Sequence, residues 1–238
     1  MYNKETDVKK WEIPERNRMN YLVLDLEMCG VQPHYRTDKF HFATEIIQIG
    51  GVLLDEEYQC IGEIRQYVHP EHGVIDNFIL SLTGISNADV KHAPSLAEAM
   101  NHMLNWIGNR EYQVIAWSKN DYNQFRKEIK AKEIVDDKIH NFMNKKNWID
   151  YQRSFGERFE FSREVGLEEA LLYCEIEAEG RLHDGLCDAI NTAKILKKLE
   201  LHPEFEIENY EKGITEAVEP LNYSLGELFA NLGFQGSV

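Results

Sequence analysis

The stretch YLVLDLEMCG, which runs from Tyr21 to Gly30, predicts the central strand of the fold. Its continuous apolar start is typical of a strand that is buried on both faces. Asp25 and Glu27 follow two residues apart, so their side chains point to the same face, about 7 Å apart along the strand. Two like charges on a buried strand are costly unless a cation neutralises them, and hard divalent cations prefer such oxygen ligands. The alternative is that the two acids simply end the strand at the surface. Judged without any other motif, a D-x-E pair is more often of this second kind.

Strand and helix patterns alternate along the chain, which predicts an α/β fold with a mixed central β-sheet flanked by α-helices. Two further strand patterns, at residues 44–55 and 60–70, predict a three-strand antiparallel meander together with the first strand. Ser95 and Glu98 form a capping box at the start of a helix. The remaining patterns predict a strand at 113–117, an extended segment at 147–151, and helices at 120–132, 166–174 and 185–199.

The composition of the 238-residue chain, with 43% hydrophobic residues, suits one globular domain. We predict a polar arm at residues 1–18, the domain at residues 19–202 and an acidic C-terminal appendage at residues 203–238. The sequence shows no apolar run of 18 residues and no signal-peptide core, so neither a membrane span nor secretion is expected. The four scattered cysteines form no C-x-x-C pair and are expected to be reduced thiols in a cytoplasmic protein.

Three residues later in the chain join the strand acids as site candidates. Asp121 follows a predicted strand and opens a helix, and packing of the apolar helix face on the sheet would turn this side chain toward the strand ends. His183 and Asp188 flank the start of the last helix, and Asp184 between them is expected to be its N-cap; an additional role would be to raise the pKa of His183. Taken singly, an acid in a first helical turn is more often a dipole partner, and a lone His is more often a capping or surface residue.

The net charge of −15 is unevenly distributed. From residue 200 onwards there are eight Glu and one Lys, a net −7, so the first 199 residues carry −8. Nucleic-acid binding usually leaves a basic footprint, and the acidic total therefore weighs against extensive duplex contacts. It does not exclude a site that engages only a few nucleotides, because bound cations offset a cluster of carboxylates.

The order of the candidates, D-x-E, then Asp, then His-x-x-x-x-Asp, resembles the DEDDh 3′–5′ exonucleases, the DnaQ-like and RNase T-like branch of the ribonuclease H-like superfamily. The stretch WSKNDYNQF around Asp121 is similar to the second family motif, although Ser118-Lys119-Asn120 departs from its usual residues. The stretch HDGLCDAINTAKI, which begins at His183, is most similar to the Eri-type exoribonucleases and the KapD-type sporulation inhibitors. The resemblance covers residues 20–200 and implies a ribonuclease H-like fold.

This resemblance implies a metal-dependent 3′–5′ exonuclease that releases nucleoside 5′-monophosphates from the 3′ end of single-stranded RNA or DNA by a two-metal-ion mechanism. It implies two divalent cations, Mg²⁺ or Mn²⁺, as cofactors. His183 would be the general base, near its unperturbed pKa of about 6.5. The metal ligands, which are also catalytic residues, would be Asp25, Glu27, Asp121 and Asp188.

The resemblance also implies contacts to the terminal nucleotide. Met28, Thr83 and Ile85 are expected to bind it. The alternative for the turn Thr83-Gly84-Ile85 is an ordinary helix end.

Two other functions stay open at this point. One is a proofreading subunit bound to a polymerase, and the other is a regulatory protein-binding module on an exonuclease fold. Residues 203–238 would be the contact to a protein partner in both cases, whereas a partly disordered tail is the alternative. The expected partners of the enzyme itself are a nucleic-acid 3′ end and its monophosphate product, with no membrane.

Overall fold

The computed structural model describes residues 19–207 and shows a five-stranded mixed sheet. The predicted arm at residues 1–18, and residues 208–238 of the predicted appendage, lie outside the described residues. The strands are β1 (Asn20–Gly30), β2 (Thr44–Leu54), β3 (Cys60–Tyr67), β4 (Tyr112–Ala116) and β5 (Trp148–Asp150). Their order is β3-β2-β1-β4-β5, with antiparallel pairing among the first three and parallel pairing of β1 with β4 and of β4 with β5. The predicted mixed sheet and meander are therefore confirmed.

Helices cover both faces of this sheet. Those of residues 19–207 are α1 (Asn77–Thr83), α2 (Asn87–Val90), α3 (Leu96–Ile107), α4 (Lys119–Ala131), α5 (Asp137–Phe142), α6 (Tyr151–Arg158), α7 (Leu167–Tyr173) and α8 (Gly185–Leu201). The predicted helices correspond to α3, α4, α7 and α8, and the capping box of Ser95 and Glu98 begins α3 as predicted. The sequence patterns do not predict α1, α2, α5 and α6, because none exceeds eight residues and such short helices show little periodicity.

Strand β1 separates two apolar cores. Leu22 and Leu24 belong to the core that also contains Phe125 of α4, whereas Val23 belongs to the core that contains Leu196 of α8. Because side chains alternate along a strand, Asp25 and Glu27 lie on the same face as Val23. The face of β1 that carries the two acids is therefore the face that α8 covers.

Helix α4 is anchored to the sheet by two buried carboxylates. The Asp121 Oδ1 atom accepts the backbone N–H of Leu26 at 3.2 Å, and the Glu128 Oε1 atom accepts that of Ile46 at 2.7 Å. The buried ammonium of Lys132 lies 3.1 Å from Glu128 and partly offsets its charge. These bonds fix α4 across the ends of β1 and β2.

Three further observations concern strand β1, the predicted C-terminal appendage and membrane-spanning helices. The register between β1 and β2 shifts by one residue after Glu27, which is a β-bulge next to the site acids. Residues 203–207, the start of the predicted appendage, contact the domain, since the Lys198 ammonium lies 4.4 Å from the ring centre of Phe205. Within residues 19–207, no helix combines the length and the hydropathy that crossing a bilayer would require.

Candidate active site

Three of the predicted acids meet where β1 extends beyond β4. The parallel pairing of β1 with β4 ends at Leu24 and Ala116, and Asp25 and Glu27 lie just past that point. The N–H of Leu26 has no partner in β4, and Asp121 in the first turn of α4 accepts it. As predicted, Asp121 points to the strand end and is buried, with 7% of its surface exposed.

The start of α8 brings the fourth acid and the histidine to the same face. The backbone N–H of His183 donates to the Asp188 Oδ2 atom at 3.0 Å, and His183 itself has a left-handed backbone with φ of 60°. Asp188 is 8% exposed and borders the apolar side of α8, as predicted. The loop and the first helical turn therefore form one unit that carries both side chains.

A close contact between two glycines fixes this unit on the sheet. A Cβ atom added to Gly50 of β2 would lie 2.0 Å from the backbone carbon of Gly185, which is closer than real Cβ contacts allow. The Gly185 N–H donates to the Oε1 atom of buried Gln48 at 2.6 Å. Helix α8 thus starts in direct backbone contact with β2, and a side chain at position 50 would prevent this approach.

Asp184 links this unit to the edge strand. Its Oδ1 atom accepts the N–H of Cys187 at 3.1 Å, so the predicted N-cap is confirmed. The same carboxylate forms an ion pair with Arg65 of β3 at 2.7 Å. Sequence reasoning missed Gln48 and Arg65, because neither residue belongs to a motif and their partners lie more than 100 positions away along the chain.

The acids are held at electrostatic cost. Burial, followed by repulsion from the neighbouring carboxylates, raises the pKa of Asp25 and of Glu27 well above their ordinary values. Burial also raises the pKa of Asp121 to about 7 and that of Asp188 to about 7. Four acids with raised pKa values in one place indicate a site that is complete only when a cation balances the charge.

The free oxygen atoms of the site suit a hard cation. Glu27 Oε2 and Asp188 Oδ1 are buried without a hydrogen-bond partner. Ligand atoms of Glu27, His183 and Asp188 lie within 4.8 Å of one another, an arrangement that can hold a metal ion. Carboxylate oxygens are the ligands that Mg²⁺ and Mn²⁺ prefer, so these residues fit a divalent cation.

The pKa of the His183 imidazole is lower than predicted. Burial lowers its pKa below the ordinary value of 6.5, while the charge of Glu168 opposes this shift only in part. The additional role suggested for Asp184, to raise this pKa, is wrong, because burial dominates and the charges that act on the ring are those of Glu168 and Arg181. His183 is therefore neutral at pH 7 and has a lone pair available to accept a proton.

The predicted nucleotide-contact residues are all buried. Met28 follows the bulge in β1, and Thr83 and Ile85 flank the left-handed Gly84 that ends α1. The Thr83 hydroxyl donates to the carbonyl of Ile79 at 2.9 Å and accepts the N–H of Ile85 at 3.0 Å. The turn is thus a helix end in local structure, and a role in nucleotide binding stays a prediction.

Comparisons with known proteins support the resemblance to exonucleases. Residues 22–196 match the RNase T family, described as exonuclease. The chain is 29% identical over 202 residues to ERI1 exoribonuclease 2 of Homo sapiens, which covers 75% of this chain and 28% of that protein. It is 26% identical over 170 residues to 3′-5′ exoribonuclease 1 of Rattus norvegicus, covering 66% of this chain and 47% of the relative. The chain thus spans less than half the length of these curated relatives.

A solved structure shows the same fold. The nuclease domain of 3′hExo, a DEDDh family member bound to rAMP, superposes with a TM-score of 0.67 at 22% identity, over 82% of this chain and 98% of that one. This likeness confirms the predicted ribonuclease H-like fold class. The family match spans most of the domain and includes all five residues of the predicted DEDDh pattern, and the relatives are of the predicted Eri type. The chain therefore belongs to the RNase T family of exonucleases.

Proposed function

We propose that the protein is a metal-dependent 3′–5′ exonuclease that releases nucleoside 5′-monophosphates from single-stranded RNA or DNA. The observation that carries this proposal is the convergence of four carboxylates and a neutral histidine at the end of β1. Such a cluster is costly in the free protein and becomes favourable when cations and a phosphate occupy it. The names of the two exoribonuclease relatives favour RNA over DNA.

The carboxylates would hold the cations of the site. Glu27 and Asp188 offer oxygen atoms without other partners, and Asp25 and Asp121 complete the predicted set. When two divalent cations are bound, they supply charge neutralisation at the scissile phosphate and at the leaving oxygen. The Asp121 Oδ1 atom stays bonded to the sheet through Leu26, which fixes the carboxylate in place.

His183 is the proposed general base. Its lowered pKa keeps the ring neutral, so it accepts a proton from the water that attacks the phosphorus atom. The bond between phosphorus and the 3′ oxygen then breaks, and that oxygen takes up a proton from solvent. Asp188 holds the backbone of His183 and thereby aligns the ring with the site.

The test is digestion of single-stranded RNA and DNA, labelled near the 5′ end, in Mn²⁺, in Mg²⁺ and in EDTA. A ladder that shortens one nucleotide at a time from the 3′ end, and that EDTA abolishes, is the expected result. Equal cutting of circular single strands would show an endonuclease instead. The absence of any cleavage by the metal-loaded protein would contradict the proposal and favour the polymerase-bound or regulatory alternative, which a pull-down with and without residues 203–238 would then separate.

A further inference from the structure

The side chain of Arg181 joins the loop before α8 to the end of α1. Its guanidinium donates to the backbone carbonyl of Ser81, which lies in the last turn of α1. Arg181 is exposed, and the two residues are 100 positions apart along the chain. One long side chain therefore connects two segments that are distant in the sequence.

The same guanidinium lies against Gly84, the left-handed residue that ends α1. Gly84 has a φ of 77°, and a Cβ atom added to it would lie 2.6 Å from a guanidinium nitrogen of Arg181. Real Cβ contacts are not this short, so the guanidinium would have to shift. Glycine at this position thus permits both the backbone of the turn and the observed place of Arg181.

The loop that supplies Arg181 is fixed to α8 on either side of this residue. The side chain of buried Asn191 accepts the N–H of Glu179 at 2.8 Å and donates to the carbonyl of Glu179 at 3.1 Å. His183, two residues after Arg181, donates its N–H to Asp188 at 3.0 Å. Arg181 therefore extends from a loop whose position is already defined.

The segment that contains α1, residues 74–85, is attached next to the site at both of its ends. The N–H of Val74 donates to the carbonyl of Gly30 at 3.0 Å, and Gly30 is the last residue of β1, the strand that carries two of the site acids. At the other end, Arg181 makes the two contacts with α1 described above. The segment therefore extends from the end of β1 to the loop of His183 and borders the site.

We propose that Arg181 is a positioning residue that holds the turn Thr83-Gly84-Ile85 beside the site and thereby sets the space for the nucleotide that is removed. This inference rests on the proposed exonuclease function. Because Arg181 and the general base His183 lie on the same fixed loop, the guanidinium keeps the turn at a constant distance from the reacting phosphate. A single exposed hydrogen bond contributes little to folding, so its loss should weaken nucleotide binding more than stability.

The test is a double-mutant cycle in the full chain, with Arg181→Ala, Gly84→Ala and the double variant. The matched control is Arg110→Ala. Arg110 donates to the carbonyl of Ile107 at 2.6 Å, beside Gly108, which has a φ of 71° and ends α3. The contact is of the same kind, but Arg110 precedes the start of β4, whereas the site lies beyond its end.

Two quantities are measured for each protein. Calorimetry in Mn²⁺ gives the Kd of a nucleoside 5′-monophosphate, and digestion of a single-stranded RNA dodecamer gives kcat and KM. We expect Arg181→Ala to raise Kd and KM about fivefold, as expected for one lost hydrogen bond, with kcat within about twofold because His183 keeps its bond to Asp188. Arg110→Ala should change none of these constants. Gly84→Ala displaces the guanidinium, so the double variant should bind no more than about twofold more weakly than the weaker single variant.

Several outcomes would overturn the proposal. Unchanged Kd and KM in Arg181→Ala, or a loss confined to kcat, would show that Arg181 does not set the nucleotide space. Effects of Arg181→Ala and Gly84→Ala that multiply fully would show that the two residues act independently. A shallower dependence of KM on salt in Arg181→Ala would show a direct phosphate contact instead. Failure of the wild type both to bind the monophosphate and to cleave RNA would contradict the proposed function itself.

Discussion

Asp188 uses its two carboxylate oxygens for different purposes. One accepts the backbone N–H of His183, and the other is buried without a partner. An amide side chain can replace the first role, since its oxygen also accepts an N–H, but it cannot replace a charged metal ligand. A single substitution therefore separates the structural role of this residue from its chemical role.

We predict that Asp188→Asn abolishes nuclease activity and stabilises the metal-free protein. Above pH 7 the substitution removes a buried charge from among other carboxylates, so the free energy of unfolding in EDTA should rise by at least about 1.4 kcal/mol, the equivalent of one pKa unit. Denaturant unfolding and digestion assays measure the two effects. Asp137→Asn, at an exposed acid of α5, is the control and should change neither quantity. Retention of near wild-type activity by Asp188→Asn would remove this residue from the ligand set.

A second residue-scale prediction concerns His183. His183→Ala should lower the rate by about 10²–10⁴, the range that one positioned general base supplies. Because burial lowers the pKa of this imidazole, the acidic limb of the pH–rate profile should lie below pH 6.5 and disappear in the variant. Calorimetry should show that Mn²⁺ binding survives. The ring lies within 4.8 Å of ligand atoms of Glu27 and Asp188, so loss of Mn²⁺ binding in the variant would assign His183 as a ligand instead.

At the scale of elements, the site depends on how closely α8 approaches β2. The contact of Gly50 with the backbone at Gly185 leaves no room for a side chain, and the bond from Gly185 to Gln48 requires that spacing. A displacement of α8 would move Asp188 and His183 together relative to the acids of β1. Catalysis tolerates little displacement of positioned groups. A change in this contact should therefore affect nuclease activity more strongly than the free energy of unfolding.

We predict that Gly50→Ala lowers activity at least about 100-fold and destabilises the protein by about 1–3 kcal/mol, the usual cost of overpacking. Gly156→Ala in α6 is the matched control, because a Cβ atom there meets nothing within 4 Å. That control should raise the free energy of unfolding by about 0.5–1 kcal/mol and leave activity intact. Wild-type activity in a folded Gly50→Ala protein would show that the position of α8 is not fixed by this contact.

At the scale of the whole molecule, the raised pKa values predict how stability depends on pH. In the metal-free protein Asp121 and Asp188 titrate at about 7, whereas their ordinary value is 3.8. Between these values the folded state binds more protons than the unfolded state, so the free energy of unfolding falls as the pH rises toward 7 and levels off above it. The opposite contribution of His183, whose pKa is lowered, lies below its ordinary value of 6.5 and involves one proton, so it offsets at most one of these acids.

We therefore expect the unfolding temperature in EDTA to fall as the pH rises from about 5 to about 7 and to level off above that. Saturating Mn²⁺ should reverse the fall, because a cation that binds only the folded state stabilises it by mass action. Thermal scans with and without the metal measure both effects. An unfolding temperature in EDTA that rises over this range would show that the acids do not converge as described.

The sequence predicts the parts of this molecule that are encoded in repeated patterns or spaced motifs. The run from Tyr21 to Gly30, the capping box of α3 and the order of the five site residues identify the sheet and the site acids. The short helix α5 is fixed instead by local bonds, since Asp136 accepts the N–H groups of Lys138 and Ile139. Arg65 joins the site only through a partner 119 positions away, and such a pairing becomes visible only when the strands are in register.

One consequence of the crowded carboxylates concerns how the site is loaded with cations. In the metal-free protein Asp121 and Asp188 titrate at about 7, so near neutral pH part of the cluster carries protons. A cation binds the deprotonated carboxylates, and loading therefore releases these protons into the solvent. The acidification of a weakly buffered solution on addition of Mn²⁺ would then count the protons that the empty site had stored.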